Sequence, residues 1–197
     1  MAATSSYRES NRARLRQALI RAARDLTVQH GWEGVRMVDV AKAVGVSRQT
    51  VYNEFDGRAG LAEALAVSEV RLFAQRVRGE LFEHGPDVRA AGYAAIVLTL
   101  HEAARNPLVR AILTSTRGGA DELLPYLTTR SEIVLIEAGG VLREWAACHL
   151  PDAPPDLVTL AIDAAIRLTV SHIMLPRATP EATATALAEV FVRLLRA

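Results

Sequence analysis

The 197-residue sequence predicts an all-α protein of about nine helices, arranged as a small head and a larger body, and three observations carry that prediction. Apolar residues recur at three- and four-residue spacing in almost every segment, the mark of helices with one buried face. Glycine and proline breakers cut the chain into runs of helical length. Nowhere do β-branched runs of period two alternate with turn pairs, as strands would require.

Leu15, Leu19, Ala22 and Leu26 form one stripe and Gly31 supplies a left-handed stop, so a first helix is expected from Arg12 to His30. Val38, Ala41 and Val44 recur at helical spacing before Gly45, which predicts a second helix of barely two turns. Ser47 is an N-cap for a third short helix that turns Val51 and Phe55 inward, with Val46 before it. Beyond Gly57, the residues Leu61, Leu65, Leu72 and Val77 open a long helix reaching His84. Breakers at Gly85-Pro86, Asn106-Pro107, Arg117-Gly118-Gly119, Pro151 to Pro155 and Leu175 to Pro180 divide the remainder into further helices. Residues 157–174 are apolar on almost every face, so that helix must be covered on both sides. Thr179 caps and Pro180 begins a final helix, whose Leu187, Val190, Phe191 and Leu194 form one stripe. Its small residues Ala182, Ala184, Ala186 and Ala188 permit close helix approach.

Half of the residues are apolar, enough to bury a full core in two unequal domains, with the boundary expected between a head of residues 1–60 and a body of residues 61–197. The head holds ten basic residues against six acidic ones, net +4, whereas the body is net −3. A basic head suits a polyanionic partner, and a mildly acidic body suits self-association or a small molecule. The greasiest run, Ala90 to Leu100, is cut short by His101 and Glu102, below the roughly 18 uninterrupted apolar residues of a membrane span. With no signal-like h-region at the N-terminus, a cytoplasmic protein without membrane contact is expected. Cys148 alone forms no internal disulfide and reads as a small apolar filler near a helix end.

The two short helices and the Gly45 turn are the sharpest local feature. A helix-turn-helix needs a small residue where its helices cross, a tight turn, and a capped second helix to enter the major groove of DNA. Ala41, Gly45 and Ser47 meet those needs, leaving Arg48, Gln49, Thr50, Tyr52 and Asn53 on the outer face of the second helix. Arginine reads guanine, glutamine and asparagine read adenine, and hydroxyls suit phosphates or thymine methyls.

The run from Val38 to Phe55, with Arg58 and Leu61 after it, resembles the signature of the TetR family of bacterial transcriptional regulators. The resemblance implies that Ser47 caps the recognition helix, Thr50 and Tyr52 touch phosphates, and Arg48 and Gln49 approach bases. Arg58, where the family usually has lysine, would meet a phosphate. It also implies about nine helices, the last two forming a dimeric four-helix bundle. Two positions depart from the pattern. Arg36 stands where a Thr or Ser usually caps the second helix, leaving a cation for the DNA backbone instead. Glu54 replaces the usual Tyr or His, and is expected to pair with a nearby arginine or to accept from a cytosine amino group. Arg8, Arg12 and Arg14 form either an arm along the minor groove or a disordered basic tail.

For the body, an apolar lining with few polar groups is expected from Tyr93, Val97, Leu100 and His101, from Ile133, Ile136, Glu137, Val141 and Trp145, and from Ile166, Val170 and His172. A small hydrophobic effector fits such a lining. His101-Glu102 lacks the second histidine of a zinc motif, and no cofactor is implied. The expected function is a ligand-responsive repressor that binds an inverted-repeat operator as a homodimer. The alternatives are an effector-independent, architectural or activating DNA binder, and an enzyme using His101, Glu102 and Glu137 on the same scaffold. Against the enzyme, the sequence has no nucleophile motif, phosphate loop or metal signature.

Overall fold

The computed structural model describes residues 2–105 and 131–195, with the side chains of residues 2–6, 8, 9 and 131–135, Arg8 and Ile133 among them, outside that description. The breakers expected at Asn106-Pro107 and Arg117-Gly118-Gly119 also lie outside it. Among the described residues there are eight α-helices, one 3-10 turn and no strand: α1 (Ala2–His30), the turn Trp32–Gly34, α2 (Met37–Val44), α3 (Arg48–Phe55), α4 (Arg58–Glu83), α5 (Val88–Arg105), α6 (Ser131–His149), α7 (Pro155–Met174) and α8 (Pro180–Leu194). The chain divides into two compact units between Ser68 and Glu69, inside α4 rather than at residue 60.

In the first unit, Leu19, Ile20 and Ala23 of α1 are buried, as are Trp32, Val40, Val51, Phe55 and Leu61. α1 begins at Ala2, ahead of the start expected at Arg12. In α2 the buried face is Met37, Val40 and Ala41, so Ala41 is inward as expected, whereas Val38 is exposed and Val44 half-buried. Gly45 ends α2 in the left-handed region (φ 76°), and the amide of Val46 donates back to Ala41 O at 3.0 Å, closing the turn that only a residue tolerant of positive φ makes cheaply.

Between α3 and α4 the approach is tighter still. A Cβ on Gly60 would lie 1.8 Å from the carbonyl oxygen of Phe55, so the first turn of α4 fits against the end of α3 only without a side chain. Gly79, in the same helix, has open space around it. Helix propensity alone favours alanine at either site by about 1 kcal/mol. Thermal unfolding should therefore show opposite signs: Gly79→Ala raises stability by about 0.5–1 kcal/mol, while Gly60→Ala lowers it by about 1–3 kcal/mol through backbone displacement. An unchanged or raised Tm for Gly60→Ala would contradict the close approach.

The second unit is built around Phe73, Val77 and Leu81 of α4, Ala91 and Ala95 of α5, and Trp145, Ile162 and Phe191 from α6, α7 and α8. A second cluster joins Ile96 and Leu100 to Ala184 and Leu187. Of the small residues of α8, Ala184 and Ala188 are buried in the second unit, with Ala188 and Phe191 beside Gly92 of α5, whereas Ala182 and Ala186 are exposed. Thr179 caps α8, its hydroxyl accepting from the amide of Ala182 at 3.3 Å. Cys148 is exposed on α6 rather than acting as filler. By length and composition α7 could cross a membrane, and only 17% of its apolar window is buried within the chain.

Candidate functional site

The outer face of α3 is the first unit's most distinctive surface. Ser47 Oγ accepts from the amide of Thr50 at 3.1 Å and lies 2.9 Å from its hydroxyl, so the helix entrance is capped by a side chain as its sequence demands. Along the exposed face, Arg48 Nη2 donates to the Tyr52 hydroxyl at 3.0 Å with its guanidinium 5.0 Å from the ring centre. Gln49 Nε2 donates to Asn53 Oδ1 at 2.8 Å. These i,i+4 pairs hold four polar side chains on one face of an eight-residue helix. Val51 and Phe55 anchor the opposite face.

In the second unit a cavity of about 70 Å³ opens among α4, α5, α6, α7 and α8. Phe73 and Val77 of α4 and Phe191 of α8 supply bulk, whereas Gly92, Ala95, Ala138 and Ala165 leave the space. Ile96, Leu142, Ile166 and Val170 complete the apolar lining. Its two hydroxyls, on Thr99 and Thr169, each donate to a carbonyl one turn back in their own helices at 2.7 Å. Their protons are committed, so toward the cavity they can only accept.

Two family profiles match the chain: "Bacterial regulatory proteins, tetR family" over residues 19–65 and "Bacterial Tetracyclin repressor, C-terminal domain" over residues 87–193. The HTH-type transcriptional regulator AlkX of Mycobacterium tuberculosis is 33% identical over 89% of this chain and 81% of its own. The chain belongs to the TetR family of transcriptional regulators. The crystal structure of the TetR-family repressor AlkX from Dietzia sp. strain DQ12-45-1b, implicated in biodegradation of n-alkanes, superposes with a TM-score of 0.72 at 32% identity, covering 91% of this chain and 96% of that one. FadR from Bacillus subtilis in complex with stearoyl-CoA shares the fold, with a TM-score of 0.55 at 18% identity over 89% of this chain and 97% of that one. TetR-family regulators bind DNA and act as dimers; the family is one of regulators, not of enzymes.

Within this TetR-family head, Ser47, Arg48, Gln49, Thr50, Tyr52 and Asn53 come together on α3 as expected from the sequence. Arg36 is exposed at the start of α2 and gives that helix no side-chain cap. Arg58 is turned inward instead of outward: its guanidinium donates to Trp32 O at 2.7 Å and lies 5.2 Å from the Trp32 ring centre, tying the 3-10 turn to the start of α4. Glu54 takes the first of its two expected roles. Its carboxylate receives Arg12 Nε at 2.9 Å and Arg16 Nη1 at 3.0 Å, which removes Arg12 from any free N-terminal arm. The pairing is legible in the sequence but its partners are not, because Arg12 and Arg16 lie 42 and 38 positions from Glu54 with no shared period.

The expected effector lining is only partly brought together. Ile166 and Val170 line the cavity. Tyr93 and Val97 pack with Leu100 in the second cluster, and Val141 packs beside the main core. Trp145 is fully buried, with its indole N–H donating to Gly85 O at 3.0 Å, so it is core. Ile136 is exposed. The polar candidates are held by surface partners: His101 by Glu181 at 2.8 Å and Glu137 by Arg71 at 3.3 Å. Glu102 likewise pairs with Arg76 at 2.9 Å, so His101, Glu102 and Glu137, the trio an enzyme would use, each engage a different surface partner. His172 lines a different cavity, near the end of α7, with Leu100 and Thr183.

Proposed function

We propose that this regulator is a repressor that binds an inverted-repeat operator as a homodimer through α3 and is released by a small apolar molecule. The observation that supports operator reading is the capped, polar outer face of α3. The Gln49–Asn53 pair leaves the Gln49 carbonyl oxygen and the Asn53 amide protons unused, the acceptor and donor types that the N6 amino group and N7 of adenine require. Arg48, released from Tyr52, can fork onto guanine, and the Tyr52 hydroxyl is then free for a phosphate.

The effector reading rests on the chemistry of the cavity, whose described lining carries no charge and no free donor. The Dietzia AlkX repressor's link to n-alkane degradation points in the same direction, toward a saturated hydrocarbon chain. Phe73 and Val77 belong to α4, the helix that begins at Arg58, which supplies a covalent route from cavity to head. Release requires that the ligand bind the DNA-incompatible arrangement more tightly than the compatible one. Such a regulator works in the cytoplasm, beside the chromosome. DNA reading belongs to the unit ending at Ser68, and dimerisation and effector binding belong to the unit that follows.

The test is operator selection from random duplexes, followed by anisotropy titration. The selected site should be an inverted repeat, and Arg48→Ala or Gln49→Ala should each cost about 1–3 kcal/mol of discrimination against random DNA. Unchanged discrimination in both variants would refute the assignment of the reading face.

A further inference from the structure

Resting on the reading of α3 as the DNA-reading helix, we propose that Glu54 is an internal counter-ion that holds Arg12 off the DNA backbone and so limits sequence-independent binding. Glu54 follows Asn53 directly, beside the reading face, where a lone carboxylate would repel phosphates. Its side chain is only 9% exposed because two arginines of α1 cover it. The two arginines are held differently. Arg16 also donates to the Glu54 backbone carbonyl at 2.9 Å and lies 4.5 Å from the centre of the Phe55 ring, so three contacts fix it to the end of α3. Arg12 reaches Glu54 through one hydrogen bond, and its side chain is 70% exposed. Its guanidinium lies within hydrogen-bond distance of a residue on the DNA-reading helix, so a phosphate near that end of α3 would be its natural alternative partner. The carboxylate outcompetes that phosphate because it is already in place and covered. Arg16 is thus the positioning residue for α3, and Arg12 a cation kept in reserve.

The salt dependence of binding to a random-sequence duplex reads this directly, since each phosphate neutralised adds about 0.9 to the slope of log affinity against log salt. Full-length protein is titrated between about 50 and 200 mM salt. Arg12→Gln should leave the slope unchanged, because the wild-type residue touches no phosphate. Glu54→Gln should steepen it by about 0.9 per engaged head and tighten binding to random DNA at the low-salt end. The double variant Glu54→Gln/Arg12→Gln should return to the wild-type slope. A flatter slope for Arg12→Gln would overturn the proposal, as would an unaltered slope for a folded Glu54→Gln. If Glu54→Gln proves unfolded by circular dichroism, Arg12→Gln alone decides, because an exposed side chain on α1 can be shortened without loss of core. Should the wild type bind no DNA, the reading of α3 itself falls and this proposal with it; wild-type binding with the wrong slopes overturns only the role of Glu54.

Discussion

Leu168→Glu is expected to convert the regulator to a monomer and to weaken its binding to an inverted-repeat operator by at least about a thousandfold. The reason is the apolar face that a single chain leaves uncovered. On α7, Leu160 is 54% and Leu168 38% exposed, and on α8 Val190 is 39% exposed. Ala182 and Ala186 continue the α8 stripe outward, small enough to let a second copy approach. Two such helices packed against their symmetry mates bury the surface that makes α7 apolar nearly all round. A carboxylate placed there loses its water without gaining a partner, at a cost of several kcal/mol. Each monomer then holds one half-site, and affinity falls toward the sequence-independent level. Sedimentation and operator titration check both parts; a stable Leu168→Glu dimer would show that the chains associate elsewhere. Phe191 does not serve for this test, because it is buried in the chain's own core and lines the cavity. The periodic stripe of α8 identified a buried face correctly but could not say whose core buries it: Leu187 and Phe191 face inward, Val190 outward.

The second large effect concerns release. Effector potency should rise about fourfold for each methylene added to a linear alkanol, since burying one CH2 contributes about 0.8 kcal/mol, and then level off once the cavity is full. Ala138→Phe, from the half-buried α6 wall, should fill that space and abolish release while leaving operator affinity within about twofold of wild type. Val97 is the wrong place for such a plug, because it packs in the cluster with Ile96 and Ala184 instead. Titrating alkanols of increasing length into a preformed operator complex, followed by anisotropy, measures both quantities. Release of the Ala138→Phe complex at wild-type concentrations would remove the cavity from the mechanism.

What could be read from the sequence follows from how local each determinant is. Gly45, Ser47 and the Arg48–Asn53 face depend on neighbours within one or two turns, so spacing and residue type sufficed. The Glu54 cluster depends on arginines brought in by tertiary packing, which no period announces. The cavity was legible only in part, through Ile166 and Val170, for a different reason. α5 is apolar on most faces, with Gly92, Tyr93, Ala94, Ala95, Ile96 and Val97 in succession, so periodicity selects no side. Choosing bulky residues as lining then pointed to Tyr93, Val97 and Trp145. The open space instead lies beside Gly92, Ala95, Ala138 and Ala165, because a cavity forms where side chains are too small to fill it.

Paired reading heads that use α3 fix the stoichiometry of binding to an operator and to its halves. Sedimentation of the full-length protein with the selected inverted repeat should show two chains per duplex. Binding should be lost, to the level of random DNA, when either half-site is scrambled or when the spacing between them is changed by half a helical turn. One chain per duplex, or equal affinity for the intact repeat and a single half-site, would show that the two heads do not read DNA together.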